Sequence, residues 1–301
     1  MSELPTTPSS DANPLRQMLL AREATLGENM LIRRLLPHRQ RRMIGAWCFF
    51  DHAGPADVSQ GPGVRVGPHP HTGLQTFSWM VDGEILHRDS LGYEQLLQKG
   101  QVNLMTAGRG IAHSEESPAQ RSDVLQLAQF WIALPQDKRF IEPAFEHYPE
   151  LPRLTHQNAL LTVLVGEFMA QRSPVVVYSD LVGVDITTTQ PTQLDLPLNP
   201  RFEYGLAVLT GHAQADGQDL TPGSLLYFSP GQSHLTLNIT EASQIILIGG
   251  APFNENIFLY WNFVERNKAE VLESIRLWHE TDHFGVVKNY DGPPLAAPKL
   301  T

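Results

Sequence analysis

Two pairs of side chains that can bind a metal stand out in the first half of the sequence. His69 and His71 are two residues apart, and so are His113 and Glu115 later in the chain. Residues two apart in a β-strand point to the same side of the sheet, so each pair projects together if it lies on a strand. We therefore predict that the two pairs converge on one metal ion.

The chemistry of this set narrows the kind of site. Three imidazoles and one carboxylate suit Fe(II), Mn(II), Ni(II), Cu(II) or Zn(II). A set without thiolate does not resemble a structural zinc site. Four protein ligands on an octahedral ion would leave two positions for water, substrate or O2. The pattern therefore favours a site that does chemistry over one that only stabilises the fold.

Short apolar runs separated by turn residues surround these pairs. Residues 74–81, 102–105 and 125–134 have strand character, and a similar pattern restarts near residue 160. Glycine and proline number 23 each, so turns are frequent. Closely spaced turns between short strands are typical of β-sandwiches and barrels. We therefore predict an all-β fold with two similar barrels.

The predicted boundaries divide the chain into four parts. A stretch rich in proline and charge at 135–156 is interpreted as a linker between the barrels. The parts are a loose leader at 1–28, a first barrel with the metal site at 29–150, a second barrel at 151–285 and a tail at 286–301.

One helix is predicted near the end of the second barrel. Asn267 can cap it, and Glu270 follows three residues later, as in a capping box. The helix would cover residues 267–281. Its apolar stripe should pack on a barrel, without a role in chemistry.

The chain resembles the pirin family of bicupin proteins. The stretches that carry this resemblance in the first half are PHPHTGLQTFSWMVDGEILHRDSLG and MTAGRGIAHSE, with WCFFDHAGPAD upstream and LAQFWIALPQDKRFIEPAFEH downstream. A looser match follows in GGAPFNENIFLYWNFV. The resemblance implies two double-stranded β-helix (jelly-roll) barrels with a C-terminal helix. It also implies one iron, Fe(II), in the first barrel, held by His69, His71, His113 and Glu115.

The resemblance implies two functions from different classes. Several pirins resemble quercetin 2,3-dioxygenases, which would make this chain a ring-cleaving oxidoreductase. Its substrates would be O2 and an aromatic, flavonoid-like molecule whose proton Glu115 accepts as the catalytic residue. Other pirins act as metal-dependent transcriptional co-regulators, which would make it a redox-responsive protein that binds a protein partner without catalysis. A further cupin reaction, such as sugar isomerisation, stays open because a fold alone does not define chemistry.

The chain departs from the family pattern beside the first histidine pair. Pirins commonly read HPHRGFET, and this chain reads HPHTGLQT. We expect Thr72 and Gln75 to replace a supporting ion pair by a neutral pair, with Gln75 lining the pocket or accepting a hydrogen bond from a ligand histidine. A role of Gln75 as a weak metal ligand is the alternative. His87 and Asp89 form another same-face pair. They would either line the pocket and orient substrate or form a hydrogen-bonded couple.

The second half lacks a His-x-His motif. It has His212 and His234, the latter in an outline of the second cupin motif. One histidine cannot hold a metal alone, so we predict a barrel without metal, in which both histidines are relics or core residues.

Composition limits the partners. The formal net charge of −10 does not suit direct nucleic-acid binding, which needs clustered positive charge. One local cluster is basic and is expected mainly to pair with acidic residues, with a patch for a partner or an address signal as the alternative: Arg33, Arg34, Arg39, Arg41 and Arg42. The single cysteine, Cys48, excludes an intrachain disulfide and is expected to be a buried thiol. No apolar stretch reaches the roughly 18 residues of a membrane span, and none resembles a signal peptide. We therefore expect a cytoplasmic protein.

Overall fold

The computed structural model describes residues 16–26 and 30–300. Its regular secondary structure consists of strands and one helix, which confirms the all-β prediction. The first strands are β1 (Arg16–Leu20), β2 (Arg22–Leu26), β3 (Met30–Leu36), β4 (Trp47–Asp57), β5 (Arg65–His71), β6 (Leu74–Asp82), β7 (Glu84–Asp89), β8 (Glu94–Gln98), β9 (Val102–Thr106), β10 (Ile111–Glu116), β11 (Val124–Ala133) and β12 (Ala144–Tyr148).

The second half continues in the same manner and ends in a helix. Its elements are β13 (Arg153–His156), β14 (Ala159–Val165), β15 (Glu167–Phe168), β16 (Gln171–Arg172), β17 (Leu181–Thr188), β18 (Thr192–Pro197), β19 (Glu203–Thr210), β20 (Ala213–Ala215), β21 (Gln218–Leu220), β22 (Ser224–Phe228), β23 (His234–Ile239), β24 (Ser243–Gly250), β25 (Phe258–Tyr260), β26 (Phe263–Glu265) and α1 (Lys268–Glu280).

The strands form two barrels of the same design. In the first barrel a seven-stranded sheet, β12-β9-β6-β11-β4-β3-β2, faces a four-stranded sheet, β5-β10-β7-β8. In the second barrel the corresponding sheets are β1-β22-β19-β24-β17-β14-β13 and β18-β23-β20-β21. All named pairings within the barrels are antiparallel. The two four-stranded sheets therefore correspond, β18 to β5 and β23 to β10.

The N-terminal segment differs from the predicted loose leader. Arg16–Leu20 is β1, which pairs with β22 at the edge of the second barrel. Arg22–Leu26 is β2, which pairs with β3 in the first barrel. Buried Leu19 joins the core between the barrels, so this segment is held by both. An edge strand needs only one buried face, so the segment can have a mixed polar composition. That composition led to the prediction of a loose leader. The rest of the predicted leader lies outside the described residues.

The predicted linker is also structured. β12 lies within it and pairs with β9, where it forms the edge of the first barrel. β13 pairs with β14 at the opposite edge of the second barrel's large sheet. The prolines between these strands end one barrel and begin the other, but they leave the flanking residues free to join sheet edges.

The two barrels share a core along their large sheets. Phe77, Trp79 and Phe130 of the first barrel belong to the same buried cluster as Ile246 and Ile248 of the second. Trp79 Nε1 also donates a hydrogen bond of 2.8 Å to the buried carboxylate of Asp185. This combination of apolar packing and a buried polar bond fixes how the barrels sit on each other.

The helix forms as predicted but packs on the first barrel. Asn267 Oδ1 accepts from the Glu270 backbone N–H, as a cap should. Arg139 of the first barrel binds Glu270 and also the buried Glu265, at 2.7 and 2.9 Å. These ion pairs join the helix to the first barrel, and its assignment to the second domain stays a prediction. Its apolar stripe does not specify which of two barrels it covers.

The C-terminal segment after the helix lies along the outer side of β5. Leu295 N–H donates to Pro68 O at 2.8 Å, and Trp278 Nε1 donates to Leu295 O at 2.8 Å. The predicted tail is therefore attached to the strand that carries His69 and His71.

The single cysteine is buried, and only part of the arginine cluster is paired. Cys48 is free and fully buried. Arg34 binds Asp51 through two hydrogen bonds and Arg41 lies 3.8 Å from Glu203, whereas Arg39 and Arg42 make no ion pair within the described chain. Among the described helices none is long and apolar enough to cross a membrane.

Candidate metal centre

Antiparallel pairing of β5 with β10 brings the histidines together. His113 lies directly opposite His69, and Ile111 lies opposite His71. All three histidines are buried. Their ligand nitrogens all lie within 4.8 Å of one another, and no other such group of three exists among the described residues. The pairing of two local same-face motifs thus builds one centre.

The ring nitrogens are oriented for a shared ion. His69 Nδ1 lies 2.8 Å from the Gly67 carbonyl, to which it can donate, so its Nε2 is left as the ligand atom. His71 Nε2 and His113 Nε2 lie 3.0 Å apart. Two nitrogens bound at right angles to one ion, at about 2.1 Å each, would be separated by about 3.0 Å. The donor set and this spacing therefore fit a transition metal.

Burial keeps these imidazoles neutral. Desolvation lowers the pKa of His69 to about 4, with a smaller raising effect from its bond to Gly67. Desolvation also lowers the pKa of His71 and that of His113 well below the ordinary histidine value, and neighbouring histidines add to the effect. Neutral imidazoles have the lone pair that a metal requires.

Glu115 lies in the same barrel but is less tightly grouped. It is buried, and its carboxylate is not within 4.8 Å of all three histidine ligand atoms. The ladder between β10 and β5 shifts register between His113 and Glu115. Gln129 Nε2 donates to both Glu115 oxygens, at 3.3 and 3.5 Å. The role of Glu115 as fourth ligand therefore stays a prediction.

His87 lies next to His113, and Asp89 lies next to His87. His87 Nε2 lies 3.1 Å from Asp89 Oδ2, and His87 Nδ1 lies 3.3 Å from His113 Nδ1. Asp89 Oδ1 accepts from the backbone N–H groups of Leu91 and Tyr93, which fixes the carboxylate. The pair is therefore a hydrogen-bonded couple that also contacts the candidate ligand His113 through Nδ1, and its role in lining the pocket or orienting substrate stays a prediction.

Thr72 does not support the ligands as expected. Its hydroxyl donates to Glu265 Oε1 at 2.6 Å, and Glu265 also accepts from Arg139 and Ser274. The expected neutral pair of Thr72 with Gln75 was wrong, since the two side chains bind different partners. Glu265 is also paired with Arg139 at 2.9 Å, a contact between distant parts of the chain that no local motif could reveal.

Gln75 faces the second barrel. Its Nε2 donates to Thr106 Oγ1 at 2.9 Å and to Val176 O of the second barrel at 3.1 Å. Phe77 and Trp79, which share its side of β6, lie in the core between the barrels. The prediction that Gln75 lines the pocket or bonds to a ligand histidine was therefore wrong. The turn between β5 and β6 reverses the chain, so parity from the ligand strand does not carry over.

Three residues near the centre were not singled out from the sequence. Trp131 lies with its ring centroid 5.2 Å from that of His71 and stacks on Phe49 at 4.0 Å. Phe145 stacks on His87 at 4.4 Å. Trp131 shares a strand face with Gln129, so parity within β11 was the available signal.

The second barrel has a different interior. Leu194 and Leu196 of β18 and Leu235 and Leu237 of β23 are buried where β5 and β10 carry the histidines. His234 is exposed, and His212 lies 2.8 Å from Thr240 Oγ1 and 3.2 Å from Asp219. Neither histidine is a core residue. The leucines fill the space that a metal and its ligands would need.

Comparison with family models gives two matches. Residues 29–132 match the model named Pirin, and residues 183–285 match that of the Pirin C-terminal cupin domain. Together they cover more than half of the chain, one in each barrel.

Individual proteins and solved structures are also similar to this chain. A Pseudomonas aeruginosa protein named "Putative quercetin 2,3-dioxygenase" is 48% identical over 95% of this chain and 91% of its own length. A crystal structure of quercetin 2,3-dioxygenase from Acinetobacter baumannii is 46% identical, with a TM-score of 0.93 over 95% of this chain and 96% of that one. The Escherichia coli pirin YhhW in complex with nickel(II) is 19% identical, with a TM-score of 0.62 over 79% of this chain and all of that one.

Proposed function

This chain belongs to the pirin family, and from that premise we propose that it is a metal-dependent dioxygenase that cleaves the ring of a flavonol such as quercetin. The observation that carries the proposal is the group of three buried, neutral histidines with converging nitrogens. The similarity to proteins named quercetin 2,3-dioxygenase supports the choice of reaction.

His69, His71 and His113 would hold the metal, with Fe(II) as the first choice because the resemblance implies it. When bound, a divalent metal supplies Lewis-acid chemistry that lowers the pKa of a coordinated hydroxyl and a place for O2 to react. Mn, Ni, Cu and Zn remain chemically suitable for the same nitrogen ligands.

Glu115 is proposed as fourth ligand and as the group that accepts the substrate's proton. Burial raises its pKa, so its carboxylate accepts a proton more readily than an exposed glutamate would. The two long contacts from Gln129 restrain it without neutralising it.

Trp131 and Phe49 are proposed to position the substrate. Their rings are stacked with an interplanar angle of 12°, and Trp131 lies beside His71. A flat aromatic substrate that approaches the metal next to these rings gains contact area without losing much side-chain entropy. Such a wall suits a flavonoid better than a sugar.

The test is reconstitution of the full chain with Fe(II), Mn(II), Ni(II) or Cu(II), followed by quercetin absorbance and O2 uptake. His69→Ala should lose turnover, while His234→Ala, an exposed histidine in the second barrel, should keep it. If no metal gives turnover above that of the His69→Ala protein, the proposal is wrong.

A second candidate is a metal- or redox-responsive protein that binds a protein partner. The observation that favours it is the exposed pair Arg39 and Arg42, whose side chains make no ion pair in the described chain. Pull-down with ferrous and ferric protein tests it, with Arg39→Ala/Arg42→Ala as the control. The same partners in both oxidation states, or none, would contradict it.

A further inference from the structure

The mouth of the second barrel contains a cavity of about 720 Å³. Its walls are the β15–β16 hairpin, residues 173–182 and the connection from β18 to β19. In the first barrel the corresponding connection, from β5 to β6, begins directly after His71. The cavity therefore occupies the end of the second barrel that corresponds to the metal end of the first. Its volume is within the range of about 300–1,000 Å³ found for small-molecule sites.

Any ligand here must be held by the mouth and not by the barrel interior. Below the cavity the interior is closed by leucines such as Leu196 and Leu235, which are 0% and 1% exposed. These positions correspond to the ligand strands of the first barrel. The site is thus independent of metal chemistry.

The cavity wall is fixed in place without a ligand. Ser173 Oγ donates to Leu164 O at 2.8 Å, and Val176 O accepts from Gln75 of the first barrel at 3.1 Å. Because the wall is already ordered, the protein loses less conformational entropy when a ligand binds.

The walls combine an apolar surface with two unpaired charges. Phe168 and Tyr204 are almost fully buried and line the cavity together with the partly buried Phe202. Arg172 is neutralised by Glu167 at 2.6 Å. In contrast, the side chains of Arg201 and Asp180 make no hydrogen bond or ion pair with any described residue. One cation and one anion therefore remain available to a ligand.

We propose that the second barrel binds a hydroxylated aromatic carboxylate at this mouth. The carboxylate pairs with the Arg201 guanidinium, whose fork of donors matches it. The rings contact the Phe168 and Phe202 side, and the hydroxyl donates to Asp180. The formal charge of −10 on the whole chain disfavours such an anion elsewhere on the surface, so binding should be confined to a site with its own cation.

Three matched probes test the two polar contacts separately: 6-hydroxy-2-naphthoate, 2-naphthoate without the hydroxyl, and 2-naphthol without the carboxylate. Fluorescence titration of the full chain should give the tightest binding for the first. Removing the carboxylate should weaken binding at least tenfold, and removing the hydroxyl should weaken it several-fold.

Single substitutions in the cavity wall test where the probes bind. Arg201→Ala should reduce affinity for both carboxylates at least tenfold and leave 2-naphthol unchanged. Asp180→Asn should reduce the advantage of the hydroxyl. Val176→Trp, which adds bulk to an exposed wall residue, should weaken all three probes. Arg276→Ala is the matched control, since Arg276 is an exposed arginine on α1 that pairs with Glu273.

The His69→Ala protein distinguishes this site from the metal centre. It should bind 6-hydroxy-2-naphthoate as the parent does, whether or not the proposed dioxygenase activity is real. Loss of binding in His69→Ala, equal binding in Arg201→Ala and the parent, or no binding of any probe would each overturn the proposal.

Discussion

Asp185 should make the protein less stable at neutral pH than at acidic pH. This carboxyl is 1% exposed in the core between the barrels, and burial raises its pKa from 3.8 to about 6, against smaller lowering effects from Trp79, Gln244 and Thr187. Below about pH 3.8 both folded and unfolded states are protonated and the group contributes nothing. As the pH rises toward 6 only the unfolded state releases its proton, so the free energy of unfolding decreases until both are ionised.

The size of this effect follows from the two pKa values. The difference of about 2 units corresponds to about 3 kcal/mol at pH above 6. About 2 kcal/mol of this change in unfolding free energy should develop between pH 4.5 and pH 7.5, the range in which it can be measured. Desolvation of the buried carboxylate is the physical cause, and it outweighs the lowering effects of the neutral donors and of Arg153.

Asp185→Asn isolates the effect, because asparagine cannot ionise. Its oxygen can still accept from Trp79 Nε1, and the Thr187 hydroxyl, now 3.0 Å from Oδ1, can turn to accept from the new amide. The gain in unfolding free energy of the variant over the parent should therefore be larger at pH 7.5 than at pH 4.5 by about 2 kcal/mol.

Urea unfolding at both pH values measures the difference, with tryptophan fluorescence as the probe. Asp137→Asn, at an exposed carboxyl, is the control and should show little pH-dependent change. A stability difference for Asp185→Asn that is the same at both pH values would refute the argument that the buried carboxyl carries the raised pKa.

Three further predictions concern other buried groups. Arg139→Ala should destabilise the protein by about 3–5 kcal/mol in urea unfolding, because it leaves the Glu265 carboxylate buried without its cation; a loss under 1 kcal/mol would contradict this. Cys48, whose pKa burial raises to about 12, should resist a thiol reagent at pH 8 until urea unfolds the chain; fast labelling of native protein would contradict burial. Asp89→Asn should weaken metal binding about 10–100-fold in chelator competition, because Asp89 orients His87 beside His113; unchanged affinity would make the couple only structural.

Only some features of the second barrel could be predicted from its sequence. The absence of His-x-His from the second half directed attention to the first barrel. The positions of His212 and His234 depended on turns and strand faces that involve distant segments. The cavity at the second mouth could not be predicted, since it is formed by segments separated in sequence and closed below by leucines.

What the sequence determined by itself was local. Alternation along a strand is a property of adjacent residues, so it predicted that His69 projects with His71 and His113 with Glu115; the structure groups His69, His71 and His113. Capping is equally local, and Asn267 begins the helix as predicted. The family resemblance then placed both pairs in one barrel.

Only the tertiary structure decided what depends on register and packing. Pairing of β5 with β10 set His69 opposite His113, and an irregularity in that ladder left Glu115 outside the tight group. The side chains of Thr72 and Gln75 donate hydrogen bonds to Glu265 and Val176, which lie far along the chain. Such contacts are fixed by the free energy of the whole fold, where a one-residue shift in pairing changes the face of every side chain.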